Sequence, residues 1–418
     1  MRQWKSATLI HVKLPLLFLA FLLAGCSGAP RVSLELAPAP AAAERSYAGF
    51  WEAALALDYE RAEFYAGSVN ERAYARALRQ VAEGELPAAQ DSLSDLTLDS
   101  QVAPRARALL AAVSKESETL PEKAFTSRVD RSFVETLLQA RRNERWTYTA
   151  PSRSIFDRSG ASPTPMIPVR VQGIGAMLGL DTGAGLTVIG SELAAVANAR
   201  RLGARTVARD AHGDAVQVEL ALVDLDLGNI RVDHHPVLIL DSARLRFKHD
   251  EVEVSGFEGM LGWNTLSRLR TTIDNANRLV TFEKPAPTPR APGGGLVWIG
   301  EPYVRARAAN GLPMLLFLDT GASHSSISAN VARAAGLGEG ERMPTQVMGA
   351  GSSRKVDLTV HRNVPLYVAG VRVAFGEMQS IEPRSTGYAV RDGVLGADAL
   401  VRGRVVIDPA GREFSITP

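Results

Sequence analysis

Cysteine is all but missing from this chain: among 418 residues there is one, Cys26. No intramolecular disulfide can form, so the fold must be held by its core. An excess of charge of either sign is missing too. The 47 basic and 45 acidic residues leave a net charge of +2, which gives no electrostatic ground for a nucleic-acid partner. The N-terminal apolar run, LPLLFLAFLLA at positions 14–24, falls short of the about 20 residues that a membrane-spanning helix needs. No His-Glu-x-x-His occurs, and His234-His235 has no third ligand at metal spacing, so zinc is discounted. There is no Gly-x-Ser-x-Gly elbow, which leaves nucleophilic hydrolysis without a candidate serine. Neither a metal nor a cofactor is expected.

What is present argues for a folded chain of two or three domains. Hydrophobic residues make up 46%, so disorder is not the default. Positions 1–26 read as a targeting segment: Arg2, Lys5 and Lys13 supply a basic start, and the short apolar run ends in Leu23-Ala24-Gly25-Cys26. That ending resembles the lipobox of bacterial lipoproteins. The resemblance implies lipidation of Cys26 and, with Ser27 next, an outer-membrane anchor on the periplasmic side of the cell envelope. The alternative is an ordinary signal peptide with an incidental cysteine.

Residues 27–43 are rich in proline and alanine and read as a tether. Residues 44–145 have helical periodicity. NERAYARALRQVAEGELPAAQDSLSDL offers Asn70 as an N-cap, Ala73, Ala77, Leu78 and Val81 as an apolar stripe, Gly84 as a stop and Pro87 as the start of a second helix. RARALLAAVSKE predicts a further helix. The pair resembles a tetratricopeptide-type hairpin, though one hairpin makes no array. A packing or docking module is expected, which recruits a protein partner or restricts access to a cleft. No residue in it invites a chemical role.

Beyond about Trp146 the segments become short, β-branched and alternating. MIPVRVQG, PYVRARAANG, LVTFEK and EFSITP read as strands, and EVEVSGFEG as an edge strand. EKPAPTPRAPGGG is a linker, which divides the region into residues 160–284, a linker at 285–295, and residues 296–418. These halves repeat. Asp-Thr-Gly-Ala begins at Asp181 and again at Asp319, 138 positions on (319 − 181). LGWNTLSRLRTTID from Leu261 aligns without a gap with LGADALVRGRVVID from Leu395, 134 positions on (395 − 261), and Gly259 matches Gly393.

Each repeat brings an aspartate to the end of an apolar strand, turns through Thr-Gly, and supplies a second glycine (Gly262, Gly396) past which another strand can run closely. Gly183 and Gly321 are available for positive φ. Two such units about a twofold axis can set Asp181 beside Asp319. Carboxylates about 3 Å apart cannot both ionise and share one proton. The ionised member can then draw a proton from water while the protonated one polarises a carbonyl. Asp274 and Asp408 also recur, but each follows a strand and precedes a turn-like segment, so they are expected to be structural. Arg268, Arg402, Arg270 and Arg404 are expected at the surface, solvated or paired.

The doubled Asp-Thr-Gly-Ala with its apolar-Leu-Gly partner resembles the aspartic proteases, specifically the retropepsin-like branch, over about residues 166–418. The resemblance implies a mainly β fold, a two-lobed acid-protease β-barrel domain with pseudo-twofold symmetry, here preceded by the helical module. It implies that Asp181 and Asp319 are the catalytic pair and that Thr182 and Thr320 bond reciprocally across the axis. It also implies two flaps over an extended polypeptide substrate, with tips about His212-Gly213-Asp214 and Gly349-Ala350-Gly351. Alanine at 184 and 322 is as in retropepsins and leaves the outer carboxylate oxygens without a hydroxyl donor. The dyad should therefore be less acidic than in pepsin, with activity at mildly acidic to neutral pH. The reading is a monomeric aspartic endopeptidase held at the membrane outside the cytoplasm. Its rival is a non-catalytic peptide-binding lipoprotein that keeps the cleft; pairing of the lobes within one chain or between two is left open.

Overall fold

A computed structural model describes residues 23–24, 32–98, 101–117, 128–158, 163–209, 214–249, 252–254, 257–285, 295–349, 352–382 and 386–418. Cys26 and most of the expected targeting segment lie outside these residues. Leu23–Ala24, within that segment, pairs antiparallel with Met348 and Val347. Among the described residues no helix is long and apolar enough to cross a membrane.

Among the described residues, six helices precede the two lobes: α1 (Phe50–Leu55), α2 (Tyr59–Tyr65), α3 (Val69–Glu83), α4 (Leu86–Leu96), α5 (Ala103–Ser117) and α6 (Arg128–Arg142). The start of α3 is capped by Ser68, not Asn70. The Ser68 hydroxyl accepts from the Glu71 amide at 3.1 Å, and the Glu71 carboxylate accepts from the Ser68 amide at 3.1 Å. This reciprocal pair satisfies two orphan amides and contributes about 1 kcal/mol. Gly84 ends α3 at φ 85°, a conformation that costs glycine nothing, and Pro87 sits in the first turn of α4.

The two lobes repeat one pattern of strands. In lobe 1, Ile174–Leu180 runs parallel to Gly259–Leu261, which pairs antiparallel with Val188–Gly190. In lobe 2, Pro313–Asp319, Gly393–Gly396 and Ser326–Ser328 do the same. Long hairpins complete each lobe: Arg200–Arg209 with Ala215–Asp226, and Glu341–Gly349 with Ser352–Val368. Between the lobes lies a five-stranded sheet in which Arg270–Asp274 pairs antiparallel with Arg404–Asp408, Thr272 facing Val406. The rear ends of the two repeats thus meet across the symmetry axis, and the lobes pair within one chain. One apolar core runs through both, with Leu180, Leu261 and Ile273 from the first and Leu318, Leu395 and Ile407 from the second. The fold is mainly β and two-lobed with N-terminal helices, as the sequence predicts.

The tether needs correction. Val32–Leu36 is a strand that pairs antiparallel with Val371–Phe375 at the edge of the lobe 2 sheet. Val-Ser-Leu-Glu-Leu alternates, and its Val32 turns into the common core. Downstream, the Ala43 amide donates to Gly311 and Arg307 to the Pro40 carbonyl, so this segment is tied down. Two further strands, Arg145–Tyr148 and Ser152–Ile155, join lobe 1 and the interlobe sheet.

The helical module packs on both lobes. The apolar cluster of α1, α3, α4 and α5 includes Tyr303, Phe317, Ala322, Tyr388 and Val394 of lobe 2. From α6, Phe133, Val134, Leu137 and Leu138 join Leu186, Val188 and Met260 of lobe 1. If the strand at 32–36 belongs to the core, a charge there must be buried without a partner. Val32→Asp, at a residue 4% exposed, should lower stability by about 3 kcal/mol, whereas Ser33→Asp should change it little. Equal and small effects in denaturant titrations of both variants would return the segment to a tether.

Candidate active site

Asp319 is the last residue of its core strand and Asp181 directly follows its own, and the fold delivers both to one place. Asp181 and Asp319 are fully buried. The Asp181 Oδ1 accepts from the Gly183 and Ala184 amides at 2.9 and 3.0 Å, and the Asp319 Oδ1 from the Gly321 and Ala322 amides at 3.0 Å each. A Cβ at Gly183 would collide with the Asp319 carboxylate, and one at Gly321 would lie 2.5 Å from the Asp181 Oδ1. Glycine is needed there for that close approach. Neither glycine is among those with positive φ, so the turn-conformation argument does not apply to them.

The threonines lock the two loops as expected. The Thr182 hydroxyl donates to the Leu318 carbonyl at 2.7 Å and accepts from the Thr320 amide at 3.0 Å; the Thr320 hydroxyl donates to Leu180 and accepts from Thr182 at the same distances. Gly262 and Gly396 pass against the loop backbones of Leu186 and of Ala322–His324, where any Cβ would clash. The Ala184 carbonyl then accepts from the Trp263 amide at 2.6 Å, and that of Ala322 from the Ala397 amide at 2.7 Å.

The electrostatics follow from burial. The outer oxygens, Oδ2 of both aspartates, are buried and accept no hydrogen bond from any other described residue. Burial, then the charge of Asp319, pushes the Asp181 carboxyl well above the carboxylate range. Burial also pushes Asp319 up, against the opposing field of Arg391, the Ala322 and Gly321 amides and a hydrogen bond with Asp181. Two buried acids with one shared environment retain a proton that isolated carboxylates would lose near pH 4.

A family model described as aspartyl protease matches residues 167–265 and 304–399, one stretch in each lobe, each with one Asp-Thr-Gly-Ala. The two lobes belong to the aspartyl protease family. Among solved structures, the chain is similar to basic 7S globulin from soybean, at 13% identity and TM-score 0.35 over 62% of this chain and 92% of that one. It is also similar to an aspartic proteinase from Irpex lacteus, at 11% identity and TM-score 0.37 over 63% and 96%. A search of curated proteins finds no match. The assignment rests on the paired match to both lobes.

In this aspartyl protease fold the two long hairpins are where the flaps are expected. Their tips are not described: His212, Gly213, Ala350 and Gly351 lie outside the described residues, and Gly349 closes its strand opposite Ser352. Asp214, the described residue of the lobe 1 tip, accepts from Arg354 of lobe 2 at 2.7 Å, which ties one hairpin to the other. Asp274 and Asp408 are structural, as expected. Asp274 accepts from the Asn277 amide and Asp408 from that of Gly411, while Arg270 pairs with Glu283 at 3.0 Å and Asp408 at 3.4 Å. His235 is bound to Glu144 and to the Thr265 hydroxyl, and no metal-ligand cluster occurs among the described residues.

Several supporting residues escaped the sequence reading. The Thr187 amide donates to Asn264 at 2.7 Å and its hydroxyl accepts from the Gly262 amide at 3.1 Å. In lobe 2, Ser325 donates to Asp398 and accepts from Gly396 at 2.9 Å. Their spacings, 325 − 187 = 138 and 398 − 264 = 134, repeat the offsets of the two motifs and were a signal in plain view. Through Thr265, which shares a hydrogen bond with Thr187 at 2.6 Å, the Glu144–His235 pair joins the end of α6 to this frame.

The raised acids make stability depend on pH with a defined sign. A carboxyl whose folded pKa exceeds its unfolded value contributes stability below the unfolded value, near 4, and loses it as pH rises through the folded one. Asp319→Asn removes the charge that must be buried, so it should raise the melting temperature above wild type at neutral and higher pH. The difference should shrink toward pH 4. A difference that does not vary with pH would contradict the shared proton.

Proposed function

We propose that the chain is an aspartic endopeptidase in which Asp181 and Asp319 act as one acid–base unit on an extended polypeptide. The observation that carries this reading is the pair of buried carboxyls whose inner oxygens are held by two amides each and whose outer oxygens take no hydrogen bond from any other described residue. Rigid on one side and unsatisfied on the other, the pair is preorganised for a water and a carbonyl.

The ionised carboxylate takes a proton from the water as its oxygen bonds to the peptide carbonyl carbon. The protonated carboxyl gives its proton to the carbonyl oxygen, forming a neutral gem-diol. On collapse, a diol hydroxyl returns its proton to the acid that gave one, the other acid protonates the amine nitrogen, and the C–N bond breaks. The dyad ends with one proton, as it began. Both acids are fully buried, so a substrate enters only when the walls around them open. In the lobe 1 hairpin, which Arg354 joins to lobe 2 through Asp214, the strand Arg200–Arg209 ends its sheet and is an edge to which an extended peptide can add. Anchoring through a lipidated Cys26 would place this activity at the membrane, outside the cytoplasm.

The soluble chain from Ser27, offered a peptide library between about pH 4 and 8, should cleave. Asp181→Asn and Asp319→Asn should each lose at least about 1,000-fold in kcat/KM while melting cooperatively. Cleavage that survives either substitution would exclude the shared-proton mechanism, and a wild type that binds peptides without cleaving them would establish the peptide-binding alternative. For the anchor, Cys26→Ser in a bacterial host should release the protein from membranes and abolish incorporation of labelled palmitate; membrane retention without label would point to an uncleaved leader.

A further inference from the structure

The symmetry of the dyad is broken by one buried cation. Arg391 precedes the Gly393–Gly396 strand of lobe 2 and is 4% exposed. Its guanidinium carbon lies 3.7 Å from the ring centroid of Phe317. Alternation along the strand puts Phe317 on the same face as Asp319, two residues on. The far side of the guanidinium meets Glu301 at 2.9 Å, which also accepts from the Tyr303 hydroxyl at 2.9 Å. Among the described residues, lobe 1 has nothing comparable. The repeat offsets put Phe257 where lobe 2 has Arg391 (391 − 134) and Gly179 where it has Phe317 (317 − 138). The space over Gly179 is instead taken by the thioethers of Met260 and Met166.

We propose that Arg391 is a positioning residue that makes the dyad electrostatically one-sided, keeping the negative charge on Asp319 and the shared proton on Asp181. This rests on the protease reading and gives its two acids distinct roles. Asp319 is then the base toward water, and Asp181 the acid toward the carbonyl oxygen.

The other charges nearby do not cancel the effect. Arg45, from the N-terminal segment, is bidentate to Asp392 at 2.6 and 2.8 Å and forms a self-compensating pair. Arg105 of α5 stacks on Trp51. The Asp398 carboxyl is held by the Ser325 hydroxyl and amide and lies in the field of His324. From lobe 1 the charge that faces Asp319 is Asp181 itself. Burial works against the charge on Arg391, but Glu301 and Tyr303 outweigh it and hold the guanidinium protonated. Tyr303 and Tyr388, buried in the same cluster, are pushed above the usual phenol range by burial and stay neutral. The directions at the acids agree: the field of Arg391 opposes the rise at Asp319, whereas Asp181 is raised by burial and by the charge of Asp319.

The test compares the pH profile of kcat/KM for wild type, Arg391→Met, Arg391→Lys and Glu301→Gln. Loss of the cation should move the acid limb to higher pH, reducing activity on that limb on the order of tenfold. Lysine should restore most of it. Glu301→Gln keeps the acceptor for Tyr303 but removes the anion from the guanidinium, so its limb should move to lower pH. Opposite shifts from two substitutions in one cluster support the inference, because general loosening of the site would move both the same way. Limbs that stay in place, or move together, overturn it. A readout without turnover keeps this separate from the protease reading: the pH at which Asp319→Asn begins to stabilise the fold should rise in the Arg391→Met background and fall in the Glu301→Gln background. If Arg391→Met fails to fold, Glu301→Gln alone still decides by the sign of its shift.

Discussion

Thr182 and Thr320 exchange hydrogen bonds so that each hydroxyl donates to one strand of the opposite lobe and accepts from the opposite threonine's amide. At about 1 kcal/mol each, four such bonds are a modest term in stability. Their weight lies in geometry. They fix two loops about one axis, and the glycine after each threonine leaves room for nothing except the other lobe's carboxylate. The five-stranded sheet beneath, in which Ile273 faces Val405, sets the same axis from below. Two aspartates are thereby held together inside the protein, where both cannot be charged.

That enforced sharing of a proton explains the architecture around it. Amide donors reach only the inner oxygens, and no hydroxyl at Ala184 or Ala322 lowers the outer ones, so the acids stay weak. The helical module reinforces the walls: Phe317 and Ala322, which flank Asp319, pack in the same cluster as Tyr74 and Leu78 of α3. On the other side Leu186 and Met260 pack with α6. The module is therefore part of the protease unit, in keeping with a role in restricting access. A twofold frame alone would treat the acids alike; the sequence differences beside them, Arg391 against Phe257 and Phe317 against Gly179, lie where they bias that sharing.

Much of this was legible in the residues. The offsets of 138 and 134 revealed the duplication because close backbone passage at Gly262 and Gly396, and strand ends at Asp181 and Asp319, tolerate few substitutes. The features that were missed depend on tertiary partners. Val32–Leu36 has a strand's alternation over only five residues, and the proline-rich chain around it gave no hint that Val371–Phe375 was waiting as a neighbour. Ser68 and Asn70 are both good caps, and the choice fell to Ser68 because Glu71 lies three residues beyond it. Arg391 carries no motif, and its place becomes visible only once Glu301 and Phe317 are seen against it. The docking of α6 onto lobe 1 through Glu144 and His235 left no local signal at all.

One proton is held between Asp181 and Asp319 at a pH where ordinary carboxylates have lost theirs. Carboxyl carbon NMR on protein labelled at aspartate, with each site assigned from its asparagine variant, reads this directly. Near pH 6 the pair should still retain one proton, while Asp274, whose carboxylate the Asn277 side chain and amide hold below the usual range, is fully ionised. Two independent titrations of Asp181 and Asp319, both complete near pH 4, would contradict it.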